Sequence, residues 1–142
     1  MAYRGLRPFC RGESVETESE DAGKTALIVD DNAAIRKMLA AAFQSDGFKT
    51  CAQAENGKEG IEVAKQVKPD VITLDLAMPL MNGLQAAPVL RKLFPKTLII
   101  LFTLYAHTLL KADALGAGVS LVLSKTDSLD TLIERVHELI RE

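Results

Sequence analysis

Asp30-Asp31, Asp75, Thr103 and Lys125 share one property in this 142-residue chain: each stands at or near the end of a short apolar run. Three carboxylates held within a few ångströms of one another repel strongly unless a cation joins them. An all-oxygen, carboxylate-rich group suits Mg²⁺, with Mn²⁺ as the alternative, and Mg²⁺ commonly keeps waters and takes a phosphate oxygen as well. A hydroxyl from Thr103 and an ammonium from Lys125 would converge on the same edge. Taken alone, Asp30-Asp31 could equally cap the next helix, through Asp31 or Asn32. That reading weakens once Asp75, Thr103 and Lys125 are seen to stand at the ends of other runs. Two nucleotide-cradle patterns are absent, both G-x-G-x-x-G after the first run and G-x-x-x-x-G-K-[ST] anywhere. A first turn of Asp-Asp-Asn would also repel a pyrophosphate unless a metal intervened.

The elements that must position these residues alternate in period. Apolar runs at 26–29, 48–52, 71–74, 98–102 and 119–123 read as buried strands. Between them lie helical patterns. Ile35, Met38, Leu39, Ala42 and Phe43 form one stripe that Gly47 ends, and Ile61, Ala64 and Val67 form another that stops at Pro69. Residues 82–94 read as helical, with Pro88 predicting a late start or a kink. His107 to Leu115 reads as a short helix closed by Gly116. The last helix runs from about Ser128 and carries Leu129, Leu132, Ile133, Val136 and Ile140. Five βα units in alternation predict an α/β fold, a doubly wound parallel sheet with helices on both faces. Ligands of such sheets bind outside the carboxyl ends of the strands, where the residues named first all fall.

Charge and composition bound the rest. Hydrophobic residues are 48% and charged ones 25%, an ordinary globular balance. Residues 1–23 carry three arginines against five acidic side chains and hardly any large apolar surface after Phe9, so they read as a flexible acidic leader. Residues 24–142 are charge-neutral and long enough for one core. A net charge of −2 provides no basic footprint for nucleic acid. No apolar stretch is long enough for a transmembrane helix, and no signal-peptide pattern follows the first arginines. Cys10 and Cys51 are too few for a disulfide framework or a four-ligand zinc site; Cys10 reads as an exposed tail thiol and Cys51 as strand packing. A cytoplasmic location is expected.

The motifs LIVDDN at 27–32, LDLAMPLMNG at 74–83, LIILFT at 98–103 and LGAG…LVLSK from 115 to 125 resemble those of the bacterial response regulator receiver domain. The resemblance covers residues 24 to 141 and implies a flavodoxin-like sheet of strand order 2-1-3-4-5. It implies a phosphorylation-dependent signalling switch of a two-component phosphorelay, not a turnover enzyme. Asp75 would be the phosphoacceptor. Asp30, Asp31, Asp75 and the backbone carbonyl of Ala77 would hold Mg²⁺, while Thr103 and Lys125 would meet the phosphoryl group. A sensor histidine kinase or histidine phosphotransfer protein would be the donor. Output would pass through the surface of the fourth helix, fifth strand and fifth helix, which also suggests a phosphorylation-dependent homodimer. The resemblance leaves open a single-domain regulator acting by docking and one part of a longer protein. The alternative function is a receiver-like scaffold that takes no phosphate. A phosphohydrolase is disfavoured, because such enzymes usually carry a second aspartate two residues after the nucleophile, where this chain has Ala77.

Three positions depart from the family pattern. Val122 stands where a switch aromatic is frequent, and Tyr105 is either its substitute or a plain loop aromatic. Leu104 follows Thr103 where a small residue is usual, which predicts slower reaction with small phosphodonors or a narrower choice of kinase. Thr126, not proline, follows Lys125, and Thr126 or Asp127 is expected to cap the last helix. His107 reads as a surface histidine at the start of the fourth helix, and His137 as a solvated one. Met38, Met78 and Met81 read as packing or loop residues, and Gly83 as a position that a side chain would crowd.

Overall fold

In the computed structural model, residues 24–107 and 111–140 are described. The acidic leader, Cys10 and residues 108–110 of the expected fourth helix lie outside them. The chain forms β1 (Thr25–Val29), α1 (Ala33–Ser45), β2 (Thr50–Ala54), α2 (Gly57–Val67), β3 (Val71–Leu74), α3 (Gly83–Leu93), β4 (Leu98–Thr103), α4 (Lys111–Gly116), β5 (Leu121–Ser124) and α5 (Leu129–Ile140). All five strands are parallel, in the order β2-β1-β3-β4-β5. The sheet topology expected from the alternating pattern and the family resemblance is therefore present.

The sheet divides the interior into two cores. On one side Leu39 and Phe43 of α1 and Leu132 and Val136 of α5 pack on Ala26, Ile28, Ile100 and Phe102. Phe43 meets Phe48 edge-on, with ring centroids 5.0 Å apart. On the other side α2, α3 and α4 lie on Leu27, Val29, Ile72, Leu74, Ile99 and Leu101 through small residues such as Ala64, Ala86, Ala87 and Ala114. β1, β3 and β4 face both cores, which is why they read as unbroken apolar runs rather than alternating ones.

Helix starts are written locally. Asn32, Asn56 and Asn82 cap α1, α2 and α3, each accepting a hydrogen bond from the amide three residues on. At α3, Gln85 completes a capping box by accepting from the Asn82 amide at 2.9 Å. That box starts α3 at Gly83, and Pro88 lies inside the helix, so the expected late start is not observed. Gly47 follows the α1 cap with a φ of 103°, a conformation that favours glycine. Lys68 ends α2 in the left-handed region ahead of Pro69.

Several boundaries differ from the sequence-based ones. β2 and β5 both begin two residues later than expected. His107 lies in an exposed turn, not in a helix, and α4 is described over Lys111–Gly116. Met38 is half exposed, while Arg36 on the same helix is buried. Ser128, whose hydroxyl accepts from the Thr131 amide at 3.2 Å, caps α5. Asp127 instead accepts from the Ser124 amide. His137 is not simply solvated: its Nε2 lies 2.8 Å from Asp46 Oδ1, tying α5 to the end of α1.

At the amino end of the sheet Arg91 binds three segments together. Its Nη1 donates to the carbonyls of Phe94, Pro95 and Thr97, its Nε to Gly118 and its Nη2 to the Ser120 hydroxyl. Ser120 Oγ in turn accepts from the Ile99 amide.

Candidate functional site

At the opposite end, β1 delivers Asp30 and Asp31, and β3 delivers Asp75. Carboxylate oxygens of the three lie within 4.8 Å of one another. Asp30 and Asp75 are buried and Asp31 is exposed. Lys125, one residue past β5, reaches into the group: its Nζ is 2.7 Å from Asp30 Oδ2 and 3.4 Å from Asp75 Oδ1. The ammonium thus offsets part of a charge concentration that burial would otherwise make very costly.

Every hydrogen-bonding atom of Asp30 has a partner. Its amide donates to the Ala54 carbonyl, its Oδ1 accepts from the Asn32 amide, its Oδ2 meets Lys125, and its carbonyl accepts from Arg36 Nη1 at 2.7 Å. Thr103 is fully buried at the end of β4. Its carbonyl accepts from the Lys125 amide, and its hydroxyl accepts from the Tyr105 amide at 3.0 Å. Asp30, Asp31, Asp75 and Lys125 are therefore brought together, and Thr103 stands on the neighbouring strand with its hydroxyl engaged locally.

An open hollow of about 700 Å³ lies beside the carboxylates, lined by Asp31, Leu76, Ala77, Met78, Pro79, Asn82 and Tyr105. Ala77 and Asp31 thus face the same space. Leu104 and Tyr105 project from the loop after β4, and Leu80, at a φ of 67°, projects from the loop after β3. The donors here are hard oxygens, with one exposed carboxylate open to solvent and two anchored ones behind it. That set fits a small divalent cation. Val122 is partly buried, and the Lys125–Thr126 peptide is trans.

Burial, then the Asp30 charge, pushes the Asp75 carboxyl up to about 6, although Lys125 pulls the other way. Burial works against the Lys125 charge, but its bonds and attraction to Asp30 and Asp75 outweigh that and raise it. A carboxyl raised on folding costs nothing below its unfolded pKa. The cost grows as pH rises toward the folded pKa and is complete above it. Asp75→Asn should therefore stabilise the metal-free protein at pH 7 by about 1–2 kcal/mol, a value reduced from the full shift because water reaches the site. At pH 4 the two proteins should unfold alike. Urea titrations in a chelator at both pH values check this, and an equal gain at both would contradict it.

Comparison with known proteins supplies the family. The family model described as response regulator receiver domain matches residues 26–137. The chain is 32% identical over 117 residues to the chemotaxis protein CheY of Thermotoga maritima, covering 82% of this chain and 98% of that protein. It is also 32% identical over 111 residues to the transcriptional regulatory protein LnrK of Bacillus subtilis, covering 78% of this chain but only 50% of LnrK. Among solved structures, CheY4 of Vibrio cholerae superposes with a TM-score of 0.77 at 27% identity, over 83% of this chain and 99% of that one. The CheX-CheY-BeF3-Mg²⁺ complex from Borrelia burgdorferi matches with a TM-score of 0.75 at 28% identity, over 82% and 89% of the two chains. This chain belongs to the response regulator receiver domain family, and its role is accordingly in two-component signalling. Receiver domains are in general signalling rather than enzymatic units. Enzymatic relatives such as the protein-glutamate methylesterase of Pyrococcus abyssi are matched over only 33% of their length.

The site residue that sequence reasoning missed is Arg36. Its signal was a charged residue one position after Ile35 in the α1 stripe, which apolar periodicity does not register.

Proposed function

We propose that residues 24–142 form a phosphorylation-dependent switch in which Asp75 accepts a phosphoryl group. The observation that carries this reading is the gathering of Asp30, Asp31, Asp75 and Lys125 at one sheet edge, with Asp75 flanked by both negative and positive groups. In the transfer, a carboxylate oxygen of Asp75 forms a bond to phosphorus. The bond from phosphorus to the donor breaks, its electron pair stays on the donor nitrogen or oxygen, and a donor imidazole takes a proton from solvent. Asp30, Asp31, Asp75 and the Ala77 carbonyl would hold Mg²⁺, which when bound neutralises charge on the phosphoryl group.

Lys125 supplies a second positive charge already poised beside Asp75. Thr103, by releasing the Tyr105 amide, would offer its hydroxyl to the added phosphate. The dianionic product draws both residues inward, and that pull is the signal carried to α4, β5 and α5. The reading brings with it a histidine kinase or histidine phosphotransfer protein as donor, a cytoplasmic location, and a homodimer of the phosphorylated form through the α4–β5–α5 face.

Intact mass after incubation with Mg²⁺ and a small acyl phosphate tests it. A single phosphate adduct that disappears in Asp75→Asn is expected. Mg²⁺ binding without an adduct from any donor or kinase would overturn the switch and favour a docking scaffold. Leu104 is 63% exposed beside the site. Truncation by Leu104→Ala should speed labelling by small donors several-fold in a time course, and an unchanged rate would show that Leu104 does not limit access.

A further inference from the structure

Arg36 is a long cationic side chain on α1 with only 8% of its surface exposed, an unusual state for an arginine. It does not pair with a carboxylate through any of its described hydrogen bonds. Its Nη1 donates to the backbone carbonyl of Asp30 at 2.7 Å and its Nε donates to Gln53 Oε1 at 3.1 Å, so the guanidinium bridges β2 to the turn after β1. The Asp30 carbonyl belongs to the peptide group that joins Asp30 to Asp31. Holding that carbonyl fixes the tilt of the peptide plane, and with it ψ of Asp30 and φ of Asp31. Those two angles decide how far apart and at what angle the two carboxylates stand.

We propose that Arg36, braced by Gln53, is a positioning residue for divalent-cation binding at Asp30 and Asp31. This inference rests on the reading of those aspartates as metal ligands. Two carboxylates can share one small cation only if their separation is maintained against mutual repulsion, and Mg²⁺ tolerates little departure from its preferred geometry. Asp30 is already secured at its amide and both carboxylate oxygens, as described above. Asp31 is exposed, and no hydrogen bond to its carboxylate is described. Its orientation is inherited from the peptide that Arg36 holds. Groups that orient metal ligands without touching the metal commonly change affinity by about tenfold or more when removed. Lysine cannot replace Arg36 here, because a single ammonium lacks the planar fork that reaches both acceptors.

The test is calorimetric titration of MgCl₂ into the full chain, comparing the unaltered protein with Arg36→Lys, Gln53→Met and Asp31→Asn. Each variant is titrated well below its own Tm. Gln53→Met keeps the length of the side chain and removes the acceptor, so it decides the matter if Arg36→Lys does not fold. About tenfold weaker Mg²⁺ binding is expected in Arg36→Lys and a several-fold loss in Gln53→Met, with Asp31→Asn abolishing binding. Lowered Tm with unaltered affinity in both Arg36→Lys and Gln53→Met would make the bridge merely structural and overturn the proposal. Equal binding by Asp31→Asn and the unaltered protein would instead remove the metal-site reading beneath it.

Discussion

Lys125→Met should lower the stability of the metal-free protein at pH 7 by about 2–3 kcal/mol, somewhat below the roughly 3–5 kcal/mol expected when a fully buried ion pair loses one partner. The Lys125 side chain retains 10% exposure, so the discount for water is modest. Its removal leaves the Asp30, Asp31 and Asp75 carboxylates facing one another with no cation among the described residues in direct contact with them. Asp75 already sits at about 6, and Lys125 is what restrains it. Without that restraint its carboxyl rises further, and a raised carboxyl costs stability only above its unfolded pKa. The variant's deficit should therefore shrink as pH falls from 7 toward 4, and millimolar Mg²⁺ should recover part of it at pH 7. Urea titrations at several pH values, with and without Mg²⁺, measure both effects. A deficit that stays constant across this pH range would mean that Lys125 acts through packing of its stem, not through charge.

Gly83→Ala should cost about 3 kcal/mol, at the upper end of ordinary overpacking, and lower Tm by roughly 10 °C. A β-carbon at Gly83 would lie 2.5 Å from the Asp75 carbonyl oxygen and 2.9 Å from Leu101 Cδ1. The Gly83 amide meanwhile donates to the Leu76 carbonyl at 3.0 Å, so α3 cannot withdraw without losing that bond. The side chain must displace the backbone of the residue that carries the candidate phosphoacceptor. Reduced labelling of Asp75 should accompany the loss of stability. Gly116→Ala is the control, since nothing lies within 4 Å of an added β-carbon there, and its Tm should be unchanged or slightly raised. Thermal unfolding of the two variants side by side would decide it. A Gly83→Ala protein as stable as the control would show that the β3–α3 turn is more compliant than its packing implies.

Much of this architecture was legible because strands and site obey the same rule. In a parallel sheet the residues after each apolar run all emerge on one edge, so Asp30, Asp75, Thr103 and Lys125 could be gathered from their positions alone. The apolar runs themselves were unambiguous because β1, β3 and β4 are covered on both faces. What stayed hidden depended on distance in sequence or on polar burial. A hydrophobic stripe cannot distinguish Met38, which is exposed, from a neighbour that packs, and it discards Arg36, whose burial is meaningful only once the Asp30 carbonyl is seen above it. The contact between His137 and Asp46 joins residues 91 apart in the chain. Ser128, immediately before Leu129, caps α5, while Asp127 accepts from the Ser124 amide. The sequence reading began the fourth helix at His107, yet the turn after Thr103 extends through it.

The Arg91 cluster also has a mechanical consequence. One guanidinium rivets the end of α3 to the starts of β4 and β5, while Thr103 and Lys125 lie at the other end of the same strands, beside the carboxylate cluster. A force applied where Thr103 and Lys125 emerge therefore acts on a lever whose fulcrum is Gly118–Ser120. Displacement should be greatest in the loops beside the carboxylates and vanish near that fulcrum, so α4 and β5 would tilt rather than slide.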